Sequence, residues 1–277
     1  MKTTRRPALR WTMAAALATT LALAIGGCAT PPPAPTVAAE IRSALAPTGT
    51  LRVGVYPGSP TSLVRGPGAD EMRGLTVELG RELGRRLGVP VQMVVFERVP
   101  EIVEALKSGR ADFTVTNASP ARAREIDFTP PVVRLESGYL VAAGSRLSAL
   151  AQVDQAGVRV GVAQGSTSQG VLTRELKAAQ LVAAPSVVAA TEMLRKGELD
   201  AFATNKGILF EMADKLPGAR VLDGRWGLEQ LAIGVPKGRE AGAAWLKAFA
   251  ADPATQALVQ QAAQRAGLRG LAAAGTP

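Results

Sequence analysis

The sequence contains no histidine, and its only cysteine is Cys28. The absence of histidine excludes His-based catalytic triads, and a lone cysteine cannot form a disulfide within the chain or build a Cys/His zinc site. Aromatic residues are also scarce, at 4%, so valine, leucine and alanine must fill the core, although 47% of the 277 residues are hydrophobic. We therefore expect no metal and no other cofactor, in a chain long enough for two domains of ordinary size.

Residues 1–27 have the pattern of an export signal. Four basic residues in the first ten positions precede an apolar run over 13–25 that is too short and too rich in alanine for a membrane span. The run ends in Ile-Gly-Gly-Cys, which resembles the bacterial lipobox and implies cleavage before Cys28 with lipid attachment to that residue. Plain secretion with an incidental cysteine is the alternative, and Thr4-Arg5-Arg6 leaves twin-arginine export open beside the Sec route.

Residues 28–44 begin with a run of prolines that predicts an extended, semi-rigid linker. Such a linker would hold a folded body away from a membrane surface. The net charge is +9, and the first 28 residues carry four of the positive charges and no acid, which leaves about +5 for the remainder. The basic residues are dispersed and form no stripe interleaved with aromatics, so we expect no nucleic-acid partner.

A repeated pattern marks the middle of the chain. Residues 105–129 predict a helix end, a stop at Gly109, a strand over 112–116 and a polar loop that carries Arg122. The segment 106–112 matches 194–200, 88 residues further on, and each copy ends four residues later in Thr-Asn. Two α/β lobes that each present polar groups at a strand end predict a ligand cleft between them. The alternative is that Gly-x-x-Asp is ordinary helix-to-strand punctuation.

The predicted elements alternate along most of the chain. Strands over 51–56 and 89–96 flank a helix that Thr76 can cap, and a helix over 100–108 follows. The second half repeats the scheme, with strands over 158–163, 181–183 and 200–204 separated by helices to about residue 179 and over 187–196. This order favours an α/β fold with a mostly parallel sheet. A late strand over 231–236 and two helices close the chain.

Five segments in order resemble one known family: 49–55 (G-T-L-R-V-G-V), 74–89, 105–113 (A-L-K-S-G-R-A-D-F), 119–129 (S-P-A-R-A-R-E-I-D-F-T) and 158–167 (V-R-V-G-V-A-Q-G-S-T). The family is the extracellular solute-binding proteins of family 3, the amino-acid-type binding components of ABC importers. The resemblance implies a two-lobed type II periplasmic binding protein fold, each lobe a mostly parallel sheet flanked by helices. Lobe 1 would comprise 45–136 and 235–277, and lobe 2 would comprise 140–231. A two-strand hinge near 139–141 and 233–235 would let the lobes close on a ligand.

Arg122 is the first candidate ligand-binding residue, because it resembles the arginine with which the family holds a ligand carboxylate. A guanidinium offers two parallel N–H donors and stays charged. Arg124 and Arg134 are as well explained as solvated surface residues. Ser166 and Thr167 follow Gly165 at a predicted helix start, where free N–H groups favour an anion, although a plain N-cap explains them too.

Asn117 and Asn205 end the two repeats. Asn117 stands where the family usually has Ser or Thr facing the ligand carboxylate. Asn205 stands where amino-acid binders place an aspartate for the ligand ammonium, so its amide favours a neutral or anionic ligand over an ordinary amino acid. The first loop lacks the aromatics common in the family and leaves Tyr56 as the ligand-facing candidate there. Val132 and Val133 replace further tyrosines, and Trp226 and Phe210 are either pocket or core residues.

The resemblance predicts a lipid-anchored, periplasmic or otherwise extracytoplasmic binding component of an ABC importer. It would be a monomer that binds a small polar or carboxylate-bearing, amino-acid-like solute and delivers it to permease subunits, with no catalytic residue. Two alternatives stay open: a ligand-binding sensor without transport, and a dehydratase acting on a cyclohexadienyl carboxylic acid. Without histidine, such an enzyme would need another acid or base, for which Glu71, Glu136 and Glu229 are candidates.

Overall fold

The computed structural model describes residues 37–66, 68 and 71–273, so the predicted signal peptide, Cys28 and most of the predicted linker lie outside the described residues. The helices are α1 Ala39–Leu45, α2 Leu75–Leu87, α3 Val99–Lys107, α4 Pro120–Ala123, α5 Thr167–Glu175, α6 Val187–Arg195, α7 Lys206–Ala213, α8 Glu240–Ala251 and α9 Pro253–Arg265. The strands are β1 Leu51–Val55, β2 Val64–Arg65, β3 Met72–Arg73, β4 Val91–Val95, β5 Thr114–Asn117, β6 Asp127–Val141, β7 Arg159–Ala163, β8 Gln180–Ala184, β9 Ala201–Asn205, β10 Arg220–Val221 and β11 Gly227–Val235.

One seven-stranded sheet runs through both lobes in the order β5-β11-β6-β9-β7-β8, with β10 also paired to β6, and two-stranded sheets β1-β4 and β2-β3 accompany it. In lobe 1, β1 pairs in parallel with β4 and bridges to Phe113 just before β5, while β11 lies antiparallel between β5 and β6. In lobe 2, β7 lies parallel between β8 and β9, and β9 pairs antiparallel with β6. The α/β class with helix-flanked sheets is therefore confirmed. The sheets are mixed because the strands that cross between the lobes run against their neighbours.

The hinge consists of β6 and β11, which pair with each other from one lobe into the other. The segment 137–141 of β6 pairs with β9 in lobe 2, whereas 231–234 of β11 pairs with β5 in lobe 1. The crossing point therefore lies near 135–137 and 227–230, so the expected hinge segments 139–141 and 233–235 sit on its two sides. Glu229, opposite Leu135 in the ladder, lies at this crossing point.

Apolar spacing explains the helices that cover the sheets. In α2 the leucines at 75, 79, 83 and 87 recur every four residues and are all buried, and Gly88, at φ 66°, ends the helix in the left-handed conformation that favours glycine. In β9 the side chains alternate, so that Phe202 packs into the cluster with α6 and α7 while Ala201 and Ala203 pack into the cluster on the other face. Lobe 2 is thus a sheet between two apolar layers.

The repeated Gly-x-x-Asp has a structural role in both lobes. The Asp112 carboxylate accepts the backbone N–H of Arg52 at 3.0 Å and its guanidinium at 2.7 and 2.8 Å, and it also pairs with Arg239 at 3.0 Å. Asp200 holds Arg159 in the same way, with bonds of 2.8, 3.0 and 2.9 Å. Asp112, just before β5, is thereby fastened to β1, and Asp200, just before β9, is fastened to β7. For the two aspartates, the alternative explanation therefore holds: they belong to the passage from helix to strand and do not bind a ligand.

Several elements differ from the sequence expectation, among them β11, which begins at Gly227 rather than at residue 231. The helix α1 falls within the range expected to be linker, and it packs on α8 with Leu45 buried. The helix α5 ends at Glu175 rather than near residue 179, because the Asp154 carboxylate accepts the backbone N–H groups of residues 177–179 at 2.8–3.0 Å and draws them out of the helix. In the described ranges, no helix is both long and apolar enough to cross a membrane.

Candidate functional site

A cavity of about 50 Å³ lies between the lobes, at the ends of β5 and β9 and beside the hinge. The structure brings all of the sequence-predicted ligand-binding residues to its wall: Tyr56, Asn117, Arg122, Ser166, Thr167 and Asn205. Four further polar residues that the sequence did not single out for binding also line it: Thr61, Thr116, Thr204 and Glu229. The site therefore draws on lobe 1, lobe 2 and the hinge together.

Arg122 projects into the cavity from the short helix α4. Ser119 caps this helix by accepting the Arg122 N–H at 3.4 Å, and Pro120 occupies its first position. The guanidinium donates to Thr116 Oγ1 at 2.6 Å. Burial lowers the pKa of Arg122, partly offset by the nearby Glu229 carboxylate, but a guanidinium still stays charged. Among the described residues, no carboxylate lies within the 4.0 Å ion-pair distance of it.

Ser166 and Thr167 have different roles: one caps a helix and the other makes contacts across the cavity. Ser166 caps α5 by accepting the Gln169 N–H at 3.1 Å, so the N-cap explanation holds for it. Thr167 instead connects both lobes and the hinge: its hydroxyl accepts from Asn117 Nδ2 at 3.3 Å and donates to Glu229 Oε1 at 3.3 Å. The start of α5 is thereby tied to the other side of the cavity.

The two asparagines are largely satisfied by the protein itself. Asn117 Oδ1 accepts the Gln230 N–H at 2.9 Å, while its amide donates across the cleft to Thr167. Asn205 Oδ1 caps α7 by accepting the Ile208 N–H at 3.2 Å, and its Nδ2 donates to Glu229 Oε2 at 2.9 Å. Asn205 therefore both caps a helix and holds a carboxylate in the cleft.

Glu229 changes the charge expected for the site. The residue is 9% exposed, and its carboxylate accepts bonds from Asn205 and Thr167, both neutral. Burial raises its pKa, and the Asn205 bond and the Arg122 charge offset part of that rise. The Asn205 argument for a neutral or anionic ligand assumed that no carboxylate remained at this side of the cleft. That premise fails, because the hinge strand supplies one.

The aromatic residues play a small part. Burial raises the pKa of Tyr56, which lines the cavity together with Val99 and Val187. Trp226 donates its indole N–H to the Gly138 carbonyl at 2.8 Å, and the ring of Phe210 lies under the Arg269 guanidinium at 4.7 Å. Neither of these two lines the cavity, so both take the core or surface role.

The lobes touch each other at the mouth of the cavity. Arg98, held by Glu101 at 2.8 Å, donates to Gln164 Oε1 of lobe 2 at 3.0 Å. Gly165 approaches Pro100 so closely that a Cβ on the glycine would lie 2.4 Å from the proline Cγ. Together with the hydrogen bond between Asn117 and Thr167, these contacts show that the two lobes are closed on one another.

The other acidic candidates lie elsewhere. Glu136 pairs with Lys206 at 2.7 Å, and Glu71 pairs with Arg73 at the surface. Across the ranges that the structure describes, no three His, Cys, Asp or Glu side chains come together as a metal site. Of the three glutamates considered from sequence as acids or bases, only Glu229 lines the interlobe cavity.

Comparisons with known proteins agree with this architecture. The ABC transporter glutamine-binding protein GlnH of Bacillus subtilis (strain 168) is 23% identical over 182 residues, which are 64% of this chain and 66% of that protein, just under two thirds of its length. The solute receptor for L-cysteine of Neisseria gonorrhoeae superposes with a TM-score of 0.72 at 23% identity, covering 81% of this chain and 92% of that one. An ancestral amino-acid-binding protein, a precursor of cyclohexadienyl dehydratase, superposes with a TM-score of 0.70 at 21% identity, covering 81% and 98%. These structures show the type II periplasmic binding protein fold.

The family model of the bacterial extracellular solute-binding proteins, family 3, matches residues 51–265. The match spans both lobes, the hinge strands and every residue of the interlobe cavity described above. The chain therefore belongs to the bacterial extracellular solute-binding proteins of family 3.

Proposed function

We propose that the protein is the receptor of an ABC importer and binds a small amino-acid-like solute by its carboxylate in the interlobe cavity. The observation that supports this most is the position of Arg122, half-buried at the cavity with a neutral hydroxyl as its described hydrogen-bond partner. A guanidinium that has partly left water without gaining an anion is unfavourable, and a ligand carboxylate would complete it with two parallel bonds. The named relatives bind amino acids, and the proposal extends that class of ligand to this chain.

A thermal-shift screen of amino acids, dicarboxylates and amides tests the proposal. At a ligand concentration 100 times its dissociation constant, binding adds about 2.7 kcal/mol, which raises the Tm of a two-lobed protein of this size by about 5–10 °C. We expect at least one α-carboxylate ligand to give such a shift. A screen in which carboxylates shift nothing while uncharged amides or sugars do would contradict the assignment.

We further propose that the mature protein is a monomer anchored by lipid on Cys28 and delivers its ligand to permease subunits outside the cytoplasm. The lipobox and the proline-rich linker support anchoring, since the linker gives the folded part room to reach a permease. In cells, Cys28→Ser should release the protein from the membrane fraction or leave it unprocessed. A processed Cys28→Ser protein that stays firmly membrane-bound would refute the anchor. Deleting the gene for this protein separates an importer from a sensor, because ligand uptake by the cells should be lost only if the protein is part of an importer.

An enzyme on the same fold remains the second candidate, because Glu229 is a buried carboxyl with a raised pKa, as an acid catalyst requires. Its hydrogen-bond partners are Asn205 and Thr167, which are neutral donors and neither acid nor base, and this favours binding over turnover. Incubation with a cyclohexadienyl carboxylic acid decides between them. Product formation above the uncatalysed rate, lost in Glu229→Gln, would favour the enzyme.

A further inference from the structure

Residues 266–272 form a C-terminal tail that passes from lobe 1 to lobe 2. The tail leaves α9 of lobe 1 through Gly267, whose φ of 63° ends the helical path. Leu268 is buried in the apolar cluster of lobe 1. The same side chain lies so close to α7 of lobe 2 that a Cβ on Gly207 would come within 2.6 Å of its Cδ1. The tail therefore contacts both lobes from its first residues.

The next residues of the tail pack along α7. Arg269 places its guanidinium 4.7 Å from the centre of the Phe210 ring and forms an ion pair with Asp214, which caps the end of the helix. Gly270 lies against Lys206, the first residue of α7, and a Cβ on the glycine would overlap the lysine Cβ. The tail is thereby attached to α7 at both of its ends.

The tail also pairs with the hinge strand β6. The Glu136 N–H donates to the Gly270 carbonyl at 2.9 Å, and the Ala272 N–H donates to the Arg134 carbonyl at 3.0 Å. Pairing between β6 and β9 ends at Ser137, and the tail pairs with the residues of β6 just before that point. These residues lie at the crossing point of β6 and β11. Three segments of the chain, rather than two, therefore connect the lobes there.

The contacts of the tail depend on how the lobes are placed. A rotation of lobe 2 about the crossing point moves α7, whereas Leu268 is held by the apolar cluster of lobe 1. Such a rotation must either separate the tail from α7 or pull Leu268 out of that cluster. Each alternative loses packing or charge contacts, which is unfavourable. Because the contacts are present with the lobes closed, they favour the closed arrangement.

We propose that the C-terminal tail is an interlobe strap that stabilises the closed arrangement before any ligand binds. The lining of the interlobe cavity in the described part of the chain includes no residue of the tail, so the strap acts at a distance from the ligand. A ligand that binds the closed lobes gains apparent affinity in proportion to the fraction of the protein that is already closed. The strap should therefore raise affinity whatever the ligand class.

Distance measurements by electron paramagnetic resonance on the ligand-free protein test the inference. The full chain carries Cys28→Ser, which removes its only thiol, and Arg124→Cys and Arg174→Cys receive the spin labels. These two exposed positions lie on the lobe 1 and lobe 2 walls of the groove between α4 and α5, so the labels move apart when the lobes open. Bound solute is first removed by unfolding, dialysis and refolding. With the native tail we expect a detectable population at the short distance.

Arg269→Ala is the main variant, because it removes the contacts with Phe210 and Asp214. The ratio of closed to open protein should fall about 3- to 30-fold, which is the usual contribution of one exposed cation–π contact and one exposed ion pair. Arg265→Ala is the matched control. Arg265 is a similarly exposed arginine that pairs at 3.0 Å with Glu78 inside lobe 1, so its removal should leave the ratio unchanged.

Two glycines of the tail give a second comparison. An alanine at Gly270, where φ is 77°, is strained and also meets Lys206 of lobe 2. An alanine at Gly267 is strained by a similar φ, but no described atom lies within 4 Å of its Cβ. We expect Gly270→Ala to lower the ratio of closed to open protein. Gly267→Ala should lower only the thermal stability.

The results that would overturn the inference are distinct from those that bear on the ligand site. Equal ratios of closed to open protein in Arg269→Ala and Arg265→Ala would overturn it, and so would a ligand-free protein with the native tail that shows only the long distance. A melting temperature that falls in Arg269→Ala without a change in the ratio would give the tail a purely structural role. All of these results would leave carboxylate binding at Arg122 in place.

Discussion

Replacing Arg122 by alanine should abolish high-affinity binding with little effect on the fold. The guanidinium has five N–H donors, and its one described hydrogen bond is to Thr116, so a ligand carboxylate can take two parallel bonds. Losing a charge-assisted pair in a closed cleft typically costs about 2–5 kcal/mol, which is about 30- to 4,000-fold in affinity. The expected loss applies to any ligand that presents a carboxylate.

Fold stability should change much less. Arg122 makes no ion pair in the described part of the chain, and its removal leaves the Thr116 hydroxyl, 7% exposed, without that donor. One such bond is worth about 1 kcal/mol, or about 2–4 °C in Tm, and the removal of a desolvated charge offsets part of it. The variant should therefore melt within a few degrees of wild type.

Isothermal titration calorimetry of wild type, Arg122→Ala and Arg124→Ala makes the comparison. Arg124 lies two residues further on, is exposed, and serves as the matched control. We expect the control to bind within about threefold of wild type, as is usual for a surface residue. Equal affinity of Arg122→Ala and wild type would refute the assignment, and so would a fold that collapses only in Arg122→Ala.

Three further predictions concern pH, closure and stability. Relative to Glu229→Gln, the free energy of unfolding of the ligand-free wild type should rise as pH falls through the raised pKa of Glu229, because the folded state holds that proton more tightly than the unfolded chain does. Chemical denaturation of both proteins at several pH values measures this, and a difference that does not change with pH would contradict it. Gly165→Ala should weaken binding, because an alanine at the φ of 72° is strained by about 1–2 kcal/mol and its Cβ would meet Pro100 across the cleft. Gly170→Ala, which has open space around the new Cβ, should bind normally. Equal affinities of the two variants would contradict closure at the Gly165–Pro100 contact. Asp112→Ala should cost about 3–5 kcal/mol in chemical denaturation and Asp200→Ala about 1 kcal/mol, because the two carboxylates are 0% and 36% exposed, and a reversed order would contradict this explanation.

Local patterns in the sequence account for much of the fold. These patterns depend on residues that are near neighbours in the chain, so they can be read directly from the sequence. They are the four-residue spacing of the leucines in α2, the glycines that end helices and the alternation of side chains in the strands. The repeat also placed Asn117 and Asn205 at matching strand ends, and the arginine of the 119–129 segment reached the cavity as expected. The polar residues at these strand ends and loops could therefore be predicted to meet once the order of the strands was known.

Long-range contacts were not accessible in this way. The end of α5 depends on Asp154, more than twenty residues before the N–H groups that it accepts. Glu229 meets Asn205 from a strand 24 residues later in the chain, and no motif marks it. One signal was present: Glu229 shares its strand face with Leu231 and Ile233, and a carboxylate on the buried face of an apolar strand demands a partner. Starting that strand at residue 231 hid the signal.

The charge of the cavity shows how one missed residue changes a functional argument. From Asn205 alone, a site without a counter-charge for an ammonium was the reasonable expectation. The carboxylate is nonetheless present, and Asn205 holds it at 2.9 Å. Loss of an acid at one position therefore does not establish loss of its charge from the site, because a different element can supply it.

A crystal structure of the protein with its tightest amino-acid ligand tests the central claim most directly. The account predicts the ligand carboxylate within about 3 Å of the Arg122 guanidinium, with the lobes closed over the ligand. A ligand bound outside the interlobe cavity, or one whose carboxylate faces away from Arg122, would contradict it.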